Sequence, residues 1–192
     1  AVCGVIGNGA LVVAGGIGRN ANVLTSAEAY TKATGWTALP PMPHATGAAA
    51  GCVLNGRLFV AGGVGSDRLQ MWDTKKWTLK APMPAERHNA VSVVHEGKMM
   101  VIGGRVYGEG GWVEDEGSST SVILYDPQTD TWAEGPPLPA PRIGCQAVEH
   151  AGVIILTGHG PPLRFSDGQW AEIPEMPCGS PFDAALGSVL LG

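Results

Sequence analysis

At 192 residues the chain is long enough for a substantial core, and a composition that is 44% hydrophobic and 15% charged excludes disorder as its default state. A formal net charge of −5, with no block of Lys and Arg, argues against nucleic acid as a partner, because phosphate binding needs clustered cations. No run of 18 apolar residues is present, so no membrane-spanning helix is expected, and 29 glycines with 15 prolines favour turns over long helices.

In chain order, the first element is "AVCGVIGNG" (1–9), whose Asn8-Gly9 is a hairpin signal leading into the hydrophobic run "LVVAGG" (11–16). Tyr30, Trp36 and the proline corner "PPMP" (40–43) follow. The order then recurs. "GAAAGCVL" (47–54) turns at Asn55-Gly56 into "LFVAGG" (58–63), then come Trp72, Trp77 and "PMP" (82–84). Gly97 precedes "MMVIGG" (99–104), followed by Tyr125, Trp132 and "PPLP" (136–139). Gly152 precedes "VIILTGH" (153–159), followed by Phe165, Trp170 and "EMP" (175–177). From each turn glycine to the first glycine of the closing pair is six residues in all four copies. The last segment, "AALGSVLLG" (184–192), matches "AAAGCVLNG" (48–56) and the opening residues.

Each part has a mechanical reason. The small-residue run suits a crowded strand, and the hydrophobic run after the turn suits a strand buried on both faces. A diglycine ends it where φ must be positive or a side chain would collide. "YDPQTDTW" (125–132) reads as strand, Asp-Pro turn and return strand, with Tyr and Trp as large anchors. Prolines then end pairing. Four strands per unit, repeated about every 40 to 55 residues, spell one blade of a β-propeller, and one blade cannot bury both faces alone. The expected units are 1–43, 44–84, 85–139 and 140–177, with 178–192 as the first strand of a further blade. Trp36, Trp77, Trp132 and Trp170 are expected at equivalent positions and largely buried.

The diglycine, the spaced Tyr and Trp and the corner "PMPAER" (82–87) or "PLPAPR" (137–142) together resemble the kelch repeat. The resemblance covers essentially the whole chain and is best in copy three. Copy one carries Thr46 where Arg87 and Arg142 stand later, and copy four has His159 in place of its second glycine. The resemblance implies an all-β, kelch-type β-propeller of about four four-stranded blades plus the first strand of a fifth. Because kelch rings close with more blades, it further implies a truncated chain that is part of a larger ring.

Family resemblance places Arg87 and Arg142 at the mouth of the central channel, where a guanidinium fork suits acidic peptide ligands; the alternative is a structural bond to loop carbonyls. Loops after the diglycine reach the same face in the family, and here carry Arg19, Asn20, Asp67, Arg68, Arg105 and His159. The insertion "RVYGEGGWVEDEGSST" (105–120) adds Tyr107 and Trp112 as aromatic anchors and the acidic Glu114, Asp115 and Glu116. That triad lacks the alternating spacing of a calcium loop. The five histidines form no HxH or HxxxH pair, and no GxSxG, P-loop or HExxH occurs, so no catalytic residue, metal or cofactor is expected. Cys3, Cys52, Cys145 and Cys178 form no CxxC pair and read as thiols in a reducing, cytoplasmic setting.

What the family implies is a non-enzymatic scaffold that binds a protein partner through one propeller face. In this family such propellers often select substrates for ubiquitin ligases through a BTB or F-box module. The rival is a small-molecule or sugar-acting propeller resembling galactose oxidase or a sialic-acid epimerase. With three tyrosines, two of them used as blade anchors, the oxidase reading fits these residues poorly.

Overall fold

The computed structural model describes residues 1–107, 118–158 and 160–174, with Tyr107 described through its backbone alone. These residues form strands, turns and loops, arranged chiefly as four four-stranded antiparallel sheets, each meandering in sequence order. The first sheet holds β1 (Val2–Val5), β2 (Leu11–Ala14), β3 (Ala27–Thr31) and β4 (Gly35–Ala38). The second holds β5 (Ala50–Leu54), β6 (Arg57–Ala61), β7 (Leu69–Trp72) and β8 (Trp77–Lys80). A short β9 (Glu86–His88) precedes the third, made of β10 (Val91–His95), β11 (Lys98–Ile102), β13 (Val122–Asp126) and β14 (Thr131–Glu134). Between β11 and β13 lies β12 (Arg105–Tyr107), which pairs with β9. The fourth sheet holds β15 (Gln146–His150), β16 (Val153–Thr157), β17 (Leu163–Ser166) and β18 (Gln169–Glu172).

The hairpin at Asn55-Gly56 has positive φ at both central residues (51° and 71°), as the Asn-Gly signal requires. Glu96-Gly97 and Ala151-Gly152 adopt the same geometry without Asn, so a glycine at the second position suffices there. Asn8-Gly9 differs: of its two residues Gly9 has positive φ, while Asn8 Oδ1 accepts from the Ala10 amide at 3.1 Å.

Sheets stack face to face, and the core is divided among three interfaces. The first buries Val2, Val12, Ala29 and Met42 of the first sheet and its corner against Leu58, Val60 and Trp72 of the second. The second joins Phe59, Met71 and Met83 to Met99, Ile123 and Tyr125, and the third joins Met100, Val122 and Leu138 to Ile154, Leu163 and Phe165. In the two middle sheets β6 and β11 are therefore buried on both faces. In the outer sheets β2 and β16 bury alternate residues, because one face has no sheet against it among the described residues.

The aromatic pairs sit directly across adjacent strands: Tyr30 opposite Trp36, Trp72 opposite Trp77, Tyr125 opposite Trp132, Phe165 opposite Trp170. Their ring centroids lie 4.9 to 5.4 Å apart, so the four tryptophans do hold equivalent places. The expectation of deep burial is corrected. Trp77, Trp132 and Trp170 are half-buried and Trp36 is 55% exposed, because the fourth strand is the outermost of each sheet.

Candidate partner-binding face

The corner residue after each proline run connects two sheets. Thr46, Arg87 and Arg142 each accept, at the backbone carbonyl, from the second glycine of the preceding diglycine: Gly16, Gly63 and Gly104, at 2.7, 2.8 and 2.7 Å. Their amides donate back to Leu24, Ser66 and Ser119 of the same preceding unit. A side chain on the first glycine would strike this strand of chain. A Cβ on Gly15 would lie 2.7 Å from the Thr46 carbonyl, one on Gly103 2.6 Å from that of Arg142, and one on Gly62 would overlap that of Arg87. The close approach, together with φ of 61–70°, is the physical reason for the diglycine.

The side chains then reach forward. Thr46 Oγ1 donates to the Gly62 carbonyl. Arg87 Nη1 donates to the carbonyls of Gly103 at 2.6 Å and Ser121 at 3.0 Å, and its Nη2 to Ser121 Oγ at 2.9 Å. Arg142 Nη2 donates to the Pro161 carbonyl at 3.1 Å. Arg87 is 4% and Arg142 8% exposed, and burial pulls the Arg87 guanidinium down to about 10. The two arginines expected at the mouth are thus engaged with backbone carbonyls, the structural one of their two alternatives.

Other candidate groups are exposed. Arg19 is exposed in the turn between Gly18 and Asn22, whose backbones bond at 2.8 Å. Arg68 is exposed, its Nε 3.6 Å from Asp67 Oδ1. Arg105 is exposed on β12 opposite His88, and Tyr107 stands opposite Glu86 on the same pair of strands. Trp112, His159 and the acidic Glu114, Asp115 and Glu116 lie outside the described residues. A polar crevice of about 490 Å³ is lined by His44, Val64, Ser66, Asp67, Arg68 and Glu86, among others. It joins the corner of the first sheet to the loop of the second and to β9. His88, largely buried beneath Arg105, has its pKa lowered by desolvation and then by the Arg105 charge.

Three features were not read from the sequence. The insertion begins as a strand, β12, pairing with β9; no alternation marks so short a pair. Each indole N–H of the later tryptophans donates to the proline corner of the previous sheet: Trp77 to Pro40, Trp132 to Ala81, Trp170 to Pro136, at 2.9, 2.8 and 3.0 Å. The signal for it was the fixed interval of four residues from tryptophan to acceptor position, visible as Trp36-Pro40 and Trp132-Pro136. In the third sheet Asp130 Oδ1 also accepts from Ala81 N at 3.0 Å and Tyr125 Oη at 2.6 Å.

Among the described residues no group of three or more His, Cys, Asp and Glu side chains is placed to share a metal ion, and no helix is long and apolar enough to cross a membrane. Cys3 and Cys52 are free thiols, and burial pushes the Cys52 thiol up to about 12.

Stacked four-stranded meanders joined at diglycines and proline corners define a β-propeller of the kelch type. Residues 86–139 match the Kelch motif family model. The chain is 36% identical over 86 residues to beta-scruin of Limulus polyphemus, covering 44% of this chain and 8% of that protein. It is 30% identical over 130 residues to Kelch-like protein 35 of Mus musculus, covering 64% and 19%. It is 32% identical over 135 residues to an F-box/kelch-repeat protein of Arabidopsis thaliana, covering 64% and 37%. The solved structure of YjhT shares the fold at a TM-score of 0.61 with 20% identity, over 72% of this chain and 54% of that one. Residues 86–139 therefore carry a kelch motif within a fold of the kelch-propeller type, and the chain spans between 8% and 37% of the length of these three curated relatives.

Proposed function

We propose that this chain is a non-enzymatic protein-binding module that engages its partner through the loop face built above the corner residues. The observation that carries this reading is the division of labour among the arginines. Arg87 and Arg142 are buried, whereas Arg19 and Arg68 stand exposed on loops and Arg105 on β12, and Arg68 lines the polar crevice. A rigid scaffold that presents exposed charged groups on loops is how binding surfaces are commonly made. Tyr107, Trp112 and His159 are assigned to the same surface from their places in the chain. The reading is supported by similarity to proteins named for a BTB domain or an F-box beside their kelch repeats. A substrate-adaptor role in the cytoplasm is the finer form of the proposal, the free thiols being in keeping with a reducing compartment.

Capture of partners by the wild type, by Arg68→Glu/Arg105→Glu and by Arg87→Ala, with melting curves for each, tests the division. The double charge reversal is expected to lose the partner at unchanged melting temperature. Arg87→Ala is expected to lower stability by about 3 kcal/mol, because it strands two buried carbonyls. Retention of every partner by the double variant would sink the loop-face reading.

A further inference from the structure

In each four-stranded meander the turns between strands one and two and between strands three and four fall at the same end, opposite the diglycine loops. Neighbouring ends stand side by side: the Gly7 amide of the first sheet donates to the Gly56 carbonyl of the second at 2.9 Å. Charge is spread unevenly among these ends. The first sheet carries Lys32 there, and the second carries Arg57, Lys75 and Lys76 against Asp73. The third reverses the sign, with Glu96, Asp126 and Asp130 against Lys98, and the fourth shows Glu149 and Asp167 and no Lys or Arg.

Pairing widens the contrast. Register places Arg57 across from Asp73 and Lys98 across from Asp126, one step beyond the pairs Leu58–Trp72 and Met99–Tyr125. In the third sheet the two charges meet, Lys98 Nζ lying 3.5 Å from Asp126 Oδ2. In the second, Arg57, Lys75 and Lys76 are exposed and form no ion pair among the described residues. Asp73 serves its turn: Oδ1 accepts from the amides of Lys75 and Lys76 at 2.9 and 2.8 Å, and the Asp73 amide donates to the Lys76 carbonyl at 3.2 Å. These bonds hold Thr74 at φ 80°, a strained value for a β-branched residue, and such strain persists where the surroundings over-determine it. The two lysines therefore stand on a fixed turn.

We propose that this end of the second sheet is a docking site for a short acidic segment of a protein partner, on the face opposite the loop site and independent of it. Three unpaired cations within one sheet match a run of Asp or Glu side chains. The neighbours limit the extent of the occupant. A nucleic acid or an anionic membrane would also run over the acidic ends of the third and fourth sheets, which repel it.

A labelled oligoglutamate peptide, titrated by fluorescence anisotropy against the 192-residue chain at low and at physiological salt, is the test. Wild type should bind it, and more weakly as salt rises. Lys75→Glu/Lys76→Glu should weaken binding about tenfold and Arg57→Glu several-fold, at unchanged melting temperature because all three side chains are exposed. Arg68→Glu/Arg105→Glu, which changes net charge by the same amount on the opposite face, should leave binding within about twofold. No binding by wild type, or equal losses in the two double variants, would overturn the proposal. So would a DNA duplex or a phosphatidylserine vesicle that binds as tightly as the peptide and is lost with the same lysines.

Discussion

Thr46, Arg87 and Arg142 occupy one position, and their side chains differ in how far they carry the link forward. Threonine reaches a single carbonyl of the second sheet; the Arg87 fork collects two carbonyls and a hydroxyl of the third. The sequence located this position through its offset from the proline corner, but spacing along the chain does not say whether a side chain turns to solvent or inward. That choice depends on the neighbouring unit, whose carbonyls here take the guanidinium groups of Arg87 and Arg142. Beside them, His88 is held in its neutral form. Its folded pKa lies below the ordinary 6.5, chiefly through desolvation and secondarily through Arg105. The unfolded chain therefore binds a proton more readily, and stability falls as pH drops below 6.5 toward the folded value. Urea midpoints at neutral and mildly acidic pH should show this loss, and His88→Gln should flatten it; an unchanged slope in the variant would assign the acid sensitivity to other groups.

At the scale of the element, the hairpins, second strands and aromatic pairs were legible because each depends on local chemistry: a glycine with positive φ, a continuous apolar run, two large residues in register. Depth of burial was not legible, since period and spacing are the same for a strand covered on one face or on two. The fourth strands show the consequence. Trp132 joins its sheet to the previous one through Ala81, whose amide and carbonyl are held by Asp130 and by the indole. Trp132→Phe keeps the ring contact and removes the N–H, so it should cost about 1 kcal/mol. Trp36→Phe, with no acceptor to lose, should change stability by less than about 0.5 kcal/mol. Chemical denaturation of the two variants compares them directly, and equal costs would show that the indole bonds contribute nothing beyond packing.

At the scale of the whole molecule, each sheet rests on its neighbours alone, so stability is distributed by position in the stack. The strands covered on both faces, β6, β7, β11 and β13, should exchange their amides slowest; β2 and β16 should be intermediate and β4 fastest. Hydrogen exchange resolved by strand measures this order, and uniform protection would indicate one cooperative unit instead.

The tryptophan-to-corner bond has a direction: the donor always belongs to the later unit and the acceptor to the earlier one. Domains form from the N-terminal side during synthesis, at roughly 5–20 residues per second. A newly emerged unit thus meets, already in place, the carbonyl that its indole requires, and the backbone of each corner residue is fixed to the finished sheet before its side chain has a second sheet to reach. The order in which the ribosome delivers these repeats is the order in which their bonds can be made.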